Sequence, residues 1–330
     1  MSKHDSKEGS SLDSNSTIDP LESQPIIIHH DGSVTRLMQI PNTEPTQDPD
    51  NIILSKDVPI NPINKTSIRL FLPQKTLHNS KKLPIIVYYH GGGFVFFRAS
   101  STVNHDFCFK LAEKVNIVVA SVDYRLAPES RLPAAYDDAV EALHWLRNEE
   151  WVCQFCDVSN CYLMGSSAGG NIAYHTGLQC AAIVDECNFD QLKIKGLILH
   201  QPFFGGSQRT NSELKFKNDR VLPLKANDLM WEFALPKGAY RDHKFSNPMI
   251  MDEGDDKCFN EIKRLRWKIL FMGCYGDPLI DRQLEFVEML RSKGVNVVEY
   301  LREGFHGMEM LEPNTDEPLF EQIKGLINLC

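Results

Sequence analysis

No stretch of this 330-residue sequence approaches the roughly 20 consecutive apolar residues that a membrane-spanning helix requires. Its first 24 residues are rich in Ser, Asp and Glu and contain no apolar core of the kind a secretory signal carries. A cytoplasmic location is therefore expected. Excess positive charge is missing as well. The 35 Lys and Arg face 44 Asp and Glu, a net charge of −9, and such a field repels phosphate backbones and anionic headgroups. Neither nucleic acid nor a membrane is an expected partner. Internal repeats are absent, as is any low-complexity tract beyond the polar leader. The nine cysteines include Cys153-x2-Cys156, with Cys161 nearby, but no second pair at metal-ligand spacing. Reduced, buried thiols are expected rather than a metal site or a redox dithiol.

What is present is the balance of a soluble globular chain, 42% hydrophobic and 24% charged, long enough for one large α/β domain with an accessory region. After a polar leader over 1–24, expected to be flexible, Pro25-Ile26-Ile27-Ile28 and Asp31-Gly32-Ser33 predict a short extended piece and a turn. The folded body, over 25–330, then carries β-type runs at 67–72, 84–89, 117–122, 161–164, 194–199, 267–272 and 295–300. Near-continuous runs of this kind predict strands buried on both faces. Helical spacing lies between them, over 134–148 with Ala139, Leu143 and Leu146, and over 282–293 with Leu284, Val287 and Leu290. The alternation predicts a mostly parallel, doubly wound sheet flanked by helices. Residues 203–255 break the rhythm and predict an inserted lid.

The pentapeptide Gly165-Ser166-Ser167-Ala168-Gly169 directly follows the run Cys161-Tyr162-Leu163-Met164 and precedes an amphipathic segment. A strand-to-helix turn this tight leaves no room for side chains at Gly165 and Gly169, and it lifts the Ser167 hydroxyl clear of the sheet. A serine hydroxyl is a feeble nucleophile at neutral pH. It needs a positioned base, an acid to orient that base, and donors for the oxyanion that forms. His306, after the last β-type run, is the candidate base, and Asp277, after the run before, the candidate acid. Asp281 competes for the acid role, but a residue just past the strand reaches the rim whereas one a helical turn later points along the helix. Gly91, Gly92 and Gly93 follow the run ending at Tyr89, and with the N–H of Ala168 they form the candidate oxyanion hole. No GK[ST] follows these glycines to mark a phosphate cradle. The order Ser167, Asp277, His306 is the one an α/β-hydrolase fold enforces. Among the other histidines, His90 is expected to brace its loop. His200, His144 and His175 read as pocket wall, surface or packing residues, and His105 is unassigned.

Together His90-Gly91-Gly92-Gly93, the segment Asp123 to Glu129, Pro133-Ala134-Ala135-Tyr136-Asp137-Asp138, Gly165 to Asn171 and Asp277-Pro278-Leu279 resemble the plant carboxylesterases of the hormone-sensitive-lipase group. The resemblance runs from about Pro59 to His306. It implies the roles given above for Ser167, His306, Asp277, Gly91 to Gly93 and Ala168, and lid contributions from about 25–50 as well as 203–255. Ser166 stands where the family usually carries Asp or Glu, a departure expected to tune activity. The group also contains the gibberellin receptor, which lacks the catalytic histidine, so His306 argues against a receptor.

The expected function is that of a serine carboxylesterase working through an acyl-enzyme, without metal or organic cofactor. Its substrate is a small, fairly apolar ester of acetyl or methyl type, plausible as a plant specialised metabolite. Two other outcomes compete: deacylation linked to decarboxylation, elimination or cyclisation of a metabolite such as an alkaloid, and a non-catalytic hormone receptor. Trp231, Phe233, Phe203 and Phe204 read either as pocket lining or as packing within the lid. Oligomeric state is not legible.

Overall fold

The computed structural model describes residues 26–31, 33–78, 81–183, 191–312 and 314–328. The expected leader over 1–24 and Gly32 lie outside the described residues. The chain divides into two units, Met1–Met38 and Gln39–Cys330. In the first, β1 (Ile26–Ile28) pairs antiparallel with β2 (Val34–Arg36), Ile28 opposite Val34. The Asp31 carboxylate accepts the Ser33 N–H at 2.9 Å and the Ser33 hydroxyl at 2.7 Å. This is the local bonding that makes Asp and Ser good turn residues.

Among its described residues the second unit carries an eight-stranded sheet. Its strands are β3 (Ile53–Asn61), β4 (Thr66–Pro73), β5 (Leu83–Tyr89), β6 (Val118–Asp123), β7 (Cys156–Ser166), β8 (Ile194–His200), β9 (Lys268–Cys274) and β10 (Asn296–Arg302). Their spatial order is β10-β9-β8-β7-β5-β6-β4-β3. Pairing is parallel from β10 across to β6 and antiparallel for β6 with β4 and β4 with β3. The expected mostly parallel α/β sheet is thus the observed one.

Three details differ. β3 was not among the expected strands, because Lys56 and Asp57 interrupt its apolar residues; as an outer strand it needs only one buried face. β7 starts at Cys156, five residues before the apolar run. β10, expected to be buried on both faces, is the opposite edge of the sheet, and Val298 is exposed. A run rich in Val and Tyr suits any strand, whatever its place in the sheet.

The longer helices are α1 (Thr102–Val115), α2 (Ala134–Asn148), α4 (Ala168–Ala182), α8 (Ile280–Ser292) and α10 (Glu317–Asn328). Shorter ones are α3 (Glu150–Phe155), α5 (Asn211–Lys215), α6 (Leu224–Ala234), α7 (Asp255–Arg264) and α9 (Met308–Leu311). α5, α6 and α7 fill the long connection from β8 to β9, the segment that broke the sequence rhythm.

α4 is buried over most of its length and meets the sheet through small residues at helical spacing, Gly169, Ala173 and Gly177. A β-carbon at Gly169 would overlap the Tyr89 carbonyl oxygen and lie 2.8 Å from that of His90. At Gly177 it would lie 2.9 Å from the δ-carbons of Leu197, the far end of a side chain that can turn away. Gly169→Ala is therefore expected to cost about 3 kcal/mol, the upper range for overpacking, since backbone has to move. Gly177→Ala should stay within about 1 kcal/mol of wild type, because the better helix propensity of Ala offsets a small rearrangement. Urea unfolding of both variants checks the contrast, and equal midpoints would contradict it.

Candidate active site

Ser167 occupies the turn between β7 and α4 with φ 55° and ψ −118°, a sparsely populated conformation for a residue with a side chain. Two close approaches explain the flanking glycines. A β-carbon at Gly165 would overlap the Gly169 carbonyl, and one at Gly169 would overlap Tyr89. The turn is bonded into the fold on both sides. Ser167 N–H donates to His200 O at 2.9 Å, and Ser167 O accepts from Gly170 N–H and Phe203 N–H, each at 2.9 Å. Ser167 also precedes the first residue of α4, so its hydroxyl sits at that helix's positive end.

The loops after β9 and β10 bring Asp277 and His306 to this hydroxyl. His306 Nε2 lies 2.9 Å from Ser167 Oγ, and His306 Nδ1 lies 2.9 Å from Asp277 Oδ2. With the carboxylate as acceptor, Nδ1 carries the proton and Nε2 presents its lone pair to the serine. Asp277 is fully buried. Its Oδ1 accepts Leu279 N–H at 2.8 Å, and its Oδ2 accepts from the Gln283 side-chain amide at 3.1 Å. The rival, Asp281, accepts Ser212 N–H at 2.8 Å and does not join the chain. Burial disfavours charge on His306, but the negative charge of Asp277 and its hydrogen bond outweigh burial, and the imidazole pKa is raised above its usual 6.5.

The glycines after β5 lie against the same turn. A β-carbon at Gly91 would sit 3.1 Å from Ser166 O and 3.4 Å from Ser167 Cβ. Gly92 and Gly93 have φ of 100° and 60°, and the space a Gly93 side chain would need is filled by Met230 of α6. Val95 and Phe96 N–H close the turn on Gly92 O at 3.0 and 2.9 Å. The N–H groups of Gly92, Gly93 and Ala168 have no acceptor among the described residues. His90 braces this loop: its Nδ1 donates to Gly91 O at 2.8 Å, and Tyr124 stacks on the ring with centroids 4.2 Å apart. Burial lowers the His90 pKa to about 4, so it is a neutral brace.

A buried polar network beside the triad joins Ser166 and His200 to residues that carried no motif in the sequence. Tyr88 donates to Ser166 Oγ at 3.1 Å, Ser166 Oγ lies 2.9 Å from His200 Nδ1, and His200 Nε2 lies 3.1 Å from Glu309. All four are buried. Burial alone would raise the Glu309 pKa, but His200 and neighbouring donors hold it below the usual range. Gln201 bonds Phe305 O and Gly307 N–H, and Gln283 bonds Asp277. The available signal was weak: polar residues at positions whose neighbours are core, such as Gln283 between Leu279 and Phe286. The aromatic residues of 203–255 are largely interior. Phe203 stacks on Trp231 at 4.6 Å, and Phe204 packs on Tyr174 and Phe286. His105 pairs with Arg69 at 3.1 Å.

Among the described residues no group of three or more His, Cys, Asp or Glu could hold a metal ion. Cys153, Cys156 and Cys161 are free, and burial pushes the Cys156 thiol up to about 12. No described helix is long and apolar enough to cross a membrane.

A buried Asp–His–Ser chain at the C-terminal rim of a parallel sheet, beside a glycine turn, defines a class of hydrolase. Comparison with known proteins agrees: residues 86–310 match the alpha/beta hydrolase fold family. The chain is 46% identical over 319 residues to Carboxylesterase 20 of Arabidopsis thaliana, covering 94% of this chain and 96% of that protein. It is 46% identical over 308 residues to a 3-O-acetylpapaveroxine carboxylesterase of Papaver somniferum, covering 89% and 95%. An esterase structure from Pyrobaculum calidifontis superposes with a TM-score of 0.69 at 26% identity, over 84% of each chain. The protein belongs to the α/β-hydrolase family, and within it to the plant carboxylesterases, which are carboxylic ester hydrolases.

NMR titration of the His306 ring is expected to inflect above 6.5, and Asp277→Asn to move the inflection down, since burial then acts with less opposition. A neutral imidazole is the form that can take a proton, so ester hydrolysis should fall as pH drops through the raised value. An inflection unmoved by Asp277→Asn would contradict this account.

Proposed function

We propose that the protein is a serine carboxylesterase that cleaves a small, fairly apolar ester through an acyl-enzyme. Ser167 Oγ attacks the ester carbonyl while His306 Nε2 takes its proton. The oxyanion is received by the N–H groups of the Gly91 to Gly93 loop and of Ala168. The imidazolium, held by Asp277, then gives the proton to the leaving alcohol. Water repeats the sequence in reverse roles, and the acid departs. The observation that carries this reading is the unbroken hydrogen-bond chain Ser167–His306–Asp277, 2.9 Å at each step. The base bonded to the nucleophile also favours turnover over binding alone.

Support for an acetyl ester comes from the relative in Papaver somniferum, whose name states an O-acetyl substrate. An acetylated plant metabolite is therefore the substrate class we assign. Residues 203–255 act as its cover, with α6 resting on the glycine turn through Met230. The full enclosure of Phe203, Phe204 and Trp231 favours packing over substrate contact for these three.

A panel of short-chain nitrophenyl esters, assayed with wild type and Ser167→Ala, tests the proposal. Wild type should turn over acetyl and butyryl esters and be labelled by a fluorophosphonate. Ser167→Ala should lose more than about 10⁴-fold in turnover and resist labelling. A folded wild type inert on every ester, and unlabelled, would sink the reading.

A further inference from the structure

We propose that Gln201 is a positioning residue for the base: its side-chain amide grips the peptide groups on either side of His306 and so sets the imidazole opposite Ser167. The proposal rests on the reading of Ser167 and His306 as nucleophile and base.

Gln201 follows the last residue of β8 and is almost fully buried. Its Oε1 accepts Gly307 N–H at 2.6 Å and its Nε2 donates to Phe305 O at 3.1 Å. A peptide N–H can only donate and a peptide carbonyl can only accept, so the amide orientation is fixed by its partners. A carboxylate could serve Gly307 but would face Phe305 O with a second acceptor, and an apolar side chain would serve neither. Its backbone is anchored too. Gln201 N–H donates to Met272 O of β9 at 2.8 Å, and its φ of 45° is a conformation that persists only where the surroundings over-determine it.

The preceding residue, His200, ties the loop after β10 to the serine turn. It bridges Ser166, next to the nucleophile, and Glu309, three residues past the base. The end of β8 thus bonds beside both partners of the proton transfer: the Gln201 side chain reaches both peptides that flank His306, one of which, at Phe305 O, also accepts Met308 N–H at 3.2 Å. Loosening that grip leaves the substrate's surroundings in place while fewer enzyme molecules hold Nε2 in line with Oγ. The loss should therefore fall on kcat and spare KM.

Gln201→Met keeps the length and removes both polar groups. Gln201→Gly removes the side chain but relieves the positive φ, so the two variants carry different folding penalties, and kcat is taken per titrated serine so that only folded enzyme counts. Each is assayed on nitrophenyl acetate, with active serines counted by exhaustive fluorophosphonate titration and the labelling rate recorded. Expected is a roughly 10- to 100-fold drop in kcat per titrated serine, KM within about twofold of wild type, and a comparably slowed labelling rate. Wild-type kcat per titrated serine, or a loss confined to the number of titratable serines, overturns the positioning role. Ser167→Ala, run alongside, separates the two levels: if it hydrolyses the ester as wild type does, the nucleophile assignment itself has failed.

Discussion

The site depends on closing a distance that the sheet imposes. Ser167 leaves β7 and His306 leaves β10, with β8 and β9 between them. At about 4.8 Å per strand, three steps put the strand ends roughly 14 Å apart. The two side chains nevertheless meet at 2.9 Å. The loop after β10 must therefore fold back across β9 and β8, and it is bonded at each stage of the crossing. Tyr275 N–H donates to Arg302 O and Gly276 N–H to Gly304 O, each at 3.0 Å, and the glycine at 276 permits the carbonyl of Gly304 to approach. Asp277 then takes the imidazole, and Gln201 takes the peptides beside it.

The same constraint accounts for the partners found for the polarity buried here. An ionised carboxylate removed from water is costly unless every lone pair has a partner. Asp277 meets this with a backbone N–H, a glutamine amide and the imidazole. Glu309 meets it with His200, backed at longer range by Arg302 at 3.9 Å. Each of the two carboxylates is joined to the serine turn through a histidine, one at Ser167 and one at Ser166. Of the two hydroxyls at which these chains end, Ser166 is buried and Ser167 is only partly so.

Much of this was legible in the sequence, for a definable reason. The glycines at 91 to 93, 165 and 169 answer to backbone approaches that tolerate no side chain, so their spacing encodes the turn directly. The parallel strands follow from apolar runs long enough to be buried. Asp277 and His306 were legible because each lies a few residues past such a run, where a parallel sheet gathers its loops. What escaped was everything fixed by tertiary contact alone. Ile53–Asn61 alternates with charge and, among the described strands, pairs with β4 alone. The edge position of β10 leaves no local trace. Gln201, Gln283, His200 and Glu309 are ordinary polar residues until the fold closes around them.

Ser166 shows how far motif and environment can differ. The resemblance implies an acid at this position, which would add a buried carboxylate beside Ser167. Here the hydroxyl of Ser166 accepts from Tyr88 and faces Nδ1 of His200, whose other nitrogen is committed to Glu309. A neutral hydroxyl fits that slot because it can accept on one side and donate on the other, leaving the imidazole one carboxylate rather than two. The acid of this network is Glu309, which reaches the serine turn only through His200, so the carboxylate bonds the loop after β10 rather than the turn itself.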